Sequence, residues 1–147
     1  MAAEIVRVTK EEELQQALNI RREVFVEEQK VPADIEIDEF DRINPNVHHL
    51  LLMEGTEPAA TGRLIYYKAD TAKMQRIAVR MPHRSKGYGR VLLLAMEELA
   101  RELGLTYSIL DAQCQAEAFY SKLGYEVISE EPFLDAGIEH VRMRKTL

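Results

Sequence analysis

Residues 84–90 read Arg84-Ser85-Lys86-Gly87-Tyr88-Gly89-Arg90, two glycines among three cations in a chain of net charge −6. That composition suits the capture of an anion. A phosphate needs several donors converging on it, and the N–H groups opening a helix supply them together with the positive end of the helix dipole. Gly87 and Gly89, lacking Cβ atoms, let a diphosphate approach the main chain and adopt angles that other residues resist. Two glycines at this spacing are weakly specific alone. Their place after an expected strand and at the start of an expected helix gives the pattern its meaning.

Other reactive side chains are sparse. Cys114 is the single cysteine, so no internal disulfide is expected and no thiolate cluster is available for a metal. His48 and His49 are adjacent and would face opposite ways on a strand, which makes them a poor ligand pair and points to surface or rim positions. No metal site is expected. Residues 27–41 hold Glu27, Glu28, Asp34, Glu36, Asp38, Glu39 and Asp41 against the lone base Lys30. This stretch is either a solvated face or a means of drawing in a cation.

These residues need elements to position them. Glu4 to Val8 alternate polar and apolar, as a strand does, and lead into Thr9-Lys10-Glu11-Glu12, whose spacing is that of a helix capping box. The following helix carries Leu14, Ala17, Leu18, Arg21 and Phe25 on one face, bounded by Pro32. Residues 27–41 form a loop or short helix. Strands are expected at 47–53 and 59–67, joined as an antiparallel hairpin through Glu54-Gly55-Thr56-Glu57-Pro58. Met74 to Val79 reads as another strand, stopped by Pro82. The helix after it runs from about 87 to 103, turns Leu92, Met96, Leu99 and Leu103 toward the sheet, and closes at Gly104. A strand over 106–111 and a helix over 115–123, ended by Gly124, precede strands near 125–129 and 138–145. The order is β, α, β, β, β, α, β, α, β, β.

A chain of 147 residues, 46% hydrophobic, can bury a sizeable core. With no repeat or linker, residues 1–147 are expected to form a single domain around one core. Lys and Arg total 19 against 25 for Asp and Glu, which lacks the broad basic character of a nucleic-acid binder and fits a cationic small molecule better. The longest apolar run, Val91 to Met96, falls far short of a membrane span. Met1-Ala2-Ala3-Glu4 has no signal-peptide character, so no membrane association and a cytoplasmic location are expected.

The segment Ala116 to Tyr125 places a short helix after a strand and ends it with a glycine and an aromatic strand start. The order of elements, the Arg84–Gly89 loop and the Phe119-Tyr120-x-Lys122-x-Gly124-Tyr125 segment together resemble the GNAT superfamily of acetyl-CoA-dependent N-acetyltransferases over nearly the whole chain. Arg21-x-x-Val24-Phe25-Val26-x-Glu28-Gln29 and Asp135-x-Gly137-Ile138-x-His140 resemble small bacterial members of undefined substrate. The fold so implied is α+β in three layers, a mixed, mostly antiparallel twisted sheet flanked by helices.

The resemblance implies transfer of an acetyl group from acetyl-CoA to a primary amine of a small molecule or peptide, by direct attack in a ternary complex. Backbone groups of Ile77, Ala78 and Val79 would pair with the pantetheine arm. Arg84, Ser85, Lys86, Gly87, Tyr88, Gly89 and Arg90 would hold the pyrophosphate, with Phe119 beside the cofactor. The Val79 N–H would polarise the thioester carbonyl, and Tyr120 would protonate the departing thiolate. Residues 74–76 carry no carboxylate where relatives often place a base. That role, and contact with the acceptor, stays open among Glu28, Asp38, Glu39, Asp111 and His140. Cys114 leaves a covalent route as an alternative, and a non-catalytic acyl-CoA-binding sensor is the alternative from another class. The late strands offer an unpaired edge for a homodimer.

Overall fold

The computed structural model describes residues 3–147, so Met1 and Ala2, which open the stretch bearing on targeting, lie outside the described residues. In chain order the elements are β1 (Ala3–Arg7), α1 (Glu11–Arg21), a π-helical turn (Arg22–Glu28), α2 (Ala33–Glu36), β2 (Val47–Glu54), β3 (Glu57–Lys68) and β4 (Thr71–Val79). A 3-10 turn (Met81–His83), α3 (Tyr88–Glu102), β5 (Tyr107–Gln113), a second 3-10 turn (Cys114–Ala116), α4 (Glu117–Lys122), β6 (Glu126–Val127), β7 (Phe133–Asp135) and β8 (Ile138–Thr146) follow. The strands form one sheet in the order β1-β2-β3-β4-β5-β8-β6, with β7 also paired to β8. Among the described residues only β4 and β5 run parallel, and a parallel pair needs a crossover, which α3 supplies. The late edge of the sheet is formed by the two-residue β6 and the three-residue β7, too short to offer a long unpaired ladder.

Alternation along the strands divides the core. Leu50 and Leu52 of β2 pack with Leu92, Leu93 and Met96 of α3, whereas Leu51 packs with Ala17, Ile20 and Val24 from the first helical stretch. Successive strand side chains point to opposite faces, so the buried residues form two clusters where the sequence suggested one. No helix among the described residues is long and apolar enough to cross a membrane.

Two local details depart from expectation. The N–H groups of Thr9 and Lys10 donate to Glu13 Oε1, at 2.9 and 3.2 Å, so the reach-back carboxylate is Glu13 rather than Glu12. The buried face of the first helix is Leu14, Ala17, Ile20, Arg21 and Val24. Leu18, within the regular α-helix, and Phe25 are only partly buried; from Arg22 the helix widens, with the Gln29 N–H reaching Val24 O, and Phe25 lies in that widened turn.

The feature that creates a site is a bulge in β4. Thr61 pairs with Ala78 but Arg63 pairs with Gln75, so one residue of β3, Gly62, opposes two of β4, Arg76 and Ile77, and Arg76 adopts a φ of +56°. Pairing of β4 with β5 ends at Met74 and Leu110. Beyond that point the two strands part and leave an opening between their C-terminal ends. Gly62 sits beside the bulge, where a Cβ would lie 2.7 Å from Met96 Sδ, so α3 packs directly on backbone there.

Candidate active site

At one end of the opening lies the loop that the glycine spacing predicts. Gly87 is the N-cap of α3 with φ +79°, and Ser85 also takes a positive φ, +66°. No side chain caps this helix, so the N–H groups of its first turn have no intrahelical acceptor. A Cβ on Gly89 would meet Phe119 Cζ at 3.4 Å and Val79 Cγ2 at 3.8 Å, which shows how closely the loop, α4 and the end of β4 converge. Ile77, Ala78, Val79, Arg84, Ser85, Gly87, Tyr88, Gly89, Arg90 and Phe119 all line the resulting groove.

The cations of the loop are distributed unequally. Lys86 turns away from the groove, its Nζ 3.0 Å from Glu54, and the Tyr88 hydroxyl donates to the same carboxylate at 2.5 Å. These bonds, with the Tyr88 hydroxyl foremost, hold the Glu54 pKa down at about 2. His83 bridges Glu54 and Glu57 at 3.2 and 3.1 Å. The β2–β3 hairpin therefore clamps the loop from behind, through acids that local sequence reading treated only as turn residues. Arg84 forms a two-pronged pair with Glu28 at 2.7 Å for each contact, and its Nε donates to Val79 O at 2.9 Å. Among the described residues Arg90 makes no ion pair.

The orientation of the β4 edge follows from its bonds. Arg80 N–H donates to Ala59 O of the neighbouring chain segment. Backbone groups of successive strand residues point to opposite edges, so the Val79 N–H and C=O face away from β3. The bond from Arg84 to Val79 O lies on that side. An amide is thus directed into the opening between β4 and β5.

At the other end a cavity of about 320 Å³ lies between the separated strands, lined by Met74 to Ile77 of β4, Leu110, Asp111 and Gln113 of β5, and Tyr120. It shares Ile77 and Gln29 with the groove, so the two spaces adjoin. The Tyr120 ring packs edge-on against Phe119 and Tyr125, with centroids 5.0 and 6.1 Å away. Burial pushes its phenol up to about 12. It remains a proton-bearing donor at any ordinary pH.

The family profile described as Acetyltransferase (GNAT) domain matches residues 7–147. The chain belongs to the GNAT acetyltransferases. This GNAT chain is 44% identical over 135 residues to YjcF, an uncharacterized N-acetyltransferase of Bacillus subtilis (strain 168), covering 92% of the former and 94% of the latter. A crystal structure from Lactobacillus plantarum is 30% identical and superposes with a TM-score of 0.92, covering 100% of this chain and 99% of its own. The coenzyme A complex of the PaiA N-acetyltransferase from Thermoplasma acidophilum shares the fold, at 19% identity, TM-score 0.76 and coverage of 100% of both chains. The protein is therefore an enzyme of acyl transfer.

Within this GNAT fold the acceptor-side candidates separate. Glu28 lines the groove and is held by Arg84. Asp38 is bound by Arg63 at 2.7 Å and does not line the cavity. Glu39 is exposed and lines neither space. Asp111 lines the cavity but accepts from Arg142 Nε and Nη2, at 2.8 and 3.1 Å, with Lys73 at 3.5 Å. His140 lines the cavity and is buried. Cys114 lines neither space.

The acidic stretch serves mainly as an internal counter-ion set. Arg21 pairs with Glu36 (2.9 Å) and Asp41 (2.5 Å), Arg63 with Asp38 and Asp41, and Arg76 with Glu36 (3.1 Å) and Asp38 (3.5 Å). Three arginines and three carboxylates thus neutralise one another beneath the bulge. Glu36 was one acid among seven in the sequence, and nothing in its spacing marked it. Yet it is 3% exposed, lines the cavity and helps fix Arg76. Of the seven acids, Glu36, Asp38 and Asp41 are paired here and Glu28 by Arg84, which leaves Glu27, Asp34 and Glu39 exposed and without an ion pair among the described residues.

Proposed function

We propose that the enzyme transfers an acetyl group from acetyl-CoA to a primary amine, with both substrates bound together. One observation carries this reading: a groove ending in an uncapped, glycine-lined helix start runs into a cavity that holds Tyr120, and the Val79 amide edge borders the groove. The pyrophosphate of the cofactor would rest on the first-turn N–H groups of α3, with Arg84 and Arg90 beside it. Its pantetheine arm would pair with the edge of Ile77–Val79 that faces away from β3, where Val79 O now accepts from Arg84, and extend the thioester toward the cavity. The Thermoplasma protein of the same fold is a complex with coenzyme A, which supports coenzyme A as the carrier here.

In this arrangement the Val79 N–H would meet the carbonyl oxygen as negative charge develops on it. Holding the amine and the thioester together supplies much of the rate advantage without a covalent intermediate, and Cys114, outside both spaces, has no part in it. Tyr120, kept protonated by burial, would donate to the leaving sulfur. The test is Tyr120→Phe, assayed by thiol release with acetyl-CoA over an amine panel and by calorimetry with coenzyme A. The expected result is a fall in kcat of about 100-fold with cofactor affinity retained. An unchanged kcat would remove Tyr120 from the chemistry.

A further inference from the structure

We infer that His140 is the general base of the transfer, taking the acceptor's ammonium proton on Nε2; the inference rests on the acetyl-transfer reading above. His140 Nδ1 lies 2.7 Å from the carbonyl oxygen of Ile138. A carbonyl oxygen can only accept, so Nδ1 bears the hydrogen, and in the neutral ring Nε2 holds the lone pair. The ring is fixed a second way, stacked on Phe133 with centroids 6.1 Å apart. Both contacts belong to the β7–β8 hairpin, whose tight turn places Ala136 and Gly137 at φ +52° and +76°. In β8, His140 stands opposite Gln113, the last residue of β5, and it lines the same cavity as Tyr120.

The other charged groups on that cavity are less suited. Lys73 and Arg76 are cations. Asp111 is held by Arg142 and Lys73, and Glu36 through Oε2 by Arg21 and Arg76, so each carboxylate is already paired with two cations. Asp135, at the hairpin tip, is exposed and makes no ion pair among the described residues. A solvated carboxylate is a weak base, whereas imidazole is the side chain whose basicity lies nearest neutral pH.

The step balances as follows. The ammonium gives one proton to His140 Nε2, and the freed nitrogen lone pair forms a bond to the thioester carbon. As the C–S bond breaks, its electron pair leaves on sulfur, which takes the Tyr120 proton. The second nitrogen proton returns to the Tyr120 oxygen, and the His140 proton passes to solvent. The products are amide, free thiol and one proton.

The variant is His140→Gln, assayed near neutral pH with benzylamine, which is protonated there, and aniline, which is not. For benzylamine kcat/KM should fall about 100-fold, while aniline, needing no deprotonation before attack, should change only a few-fold. Coenzyme A affinity should hold by calorimetry. Equal losses with both amines would overturn the base assignment and make His140 a structural residue. Imidazole 15N NMR of the wild-type protein gives a second reading, and a neutral ring protonated on Nε2 would also overturn it. Wild-type turnover with an undiminished His140→Gln would sink only this assignment. Absence of thiol release by the wild type across a broad amine panel would sink the acetyl-transfer reading and this one together.

Discussion

Replacing Asp41 by Asn removes the carboxylate on which Arg21 and Arg63 converge. The Asp41 side chain is 1% exposed and accepts from Arg21 Nη1 and Nη2, Arg63 Nη1 and the Asp38 N–H. Burial alone would raise its pKa, but the bonds from Arg21 and the Asp38 amide prevail and bring it from 3.8 to about 2. A drop of nearly two units corresponds to about 2.5 kcal/mol of folding stability. The folded-state value lies below the unfolded one, so this contribution is complete above the unfolded pKa and is lost as pH falls through the folded one. Asn also leaves two buried guanidinium groups short of a counter-ion, which can raise the cost at neutral pH to about 3–5 kcal/mol. Urea unfolding of both proteins from about pH 7 to about pH 2.5 checks this. The gap between them should be widest at neutral pH and shrink by about 2 kcal/mol across the acid range. A gap that stays constant down to the lowest pH would show that the Asp41 charge does not hold the arginines.

Two further outcomes follow from close approaches of backbone. Gly89→Leu should keep α3 folded, since its Cβ meets only ordinary contacts, but the longer side chain would fill the groove; calorimetry should show coenzyme A affinity down by at least about tenfold, with Tm nearly unchanged. Gly62→Ala forces a Cβ to 2.7 Å from the sulfur of fully buried Met96 and should cost about 1–3 kcal/mol in denaturant unfolding. Adding Met96→Ala should then cost less than the two single changes combined, and strict additivity would refute the clash.

Much of this molecule is legible because its signals are local. The Gly87 bend, the hairpin turn at Gly55 and the end of α4 at Gly124 each depend on a glycine at positive φ and on neighbours a few residues away. The stripe Leu92, Met96 and Leu99 specifies the inward face of α3 by period alone, and all three are buried. The first helix was harder. Its apolar face could be drawn through Leu18 and Phe25, but burial falls on Ile20 and Val24, and Phe25 lies in a π-helical turn from Arg22 that no periodicity announces.

The sequence by itself therefore determined most of the elements and their order, though not the three-residue β7, together with the nucleotide-loop candidate and the family, because these rest on short-range pattern. Tertiary structure decided where the chemistry can happen. The +56° backbone at Arg76 is carried by a residue that disfavours it, and its side chain is tied to Glu36 and Asp38, about forty positions earlier. Whether a carboxylate serves as counter-ion or faces a substrate depends on such distant partners. So Glu36 emerged from the acidic stretch, Glu28 and Asp38 were drawn off by arginines, and His140 was set in the cavity by the hairpin that folds back over it. Charge pairing across long sequence separation leaves no period in the chain, and only the folded arrangement shows which groups are left free.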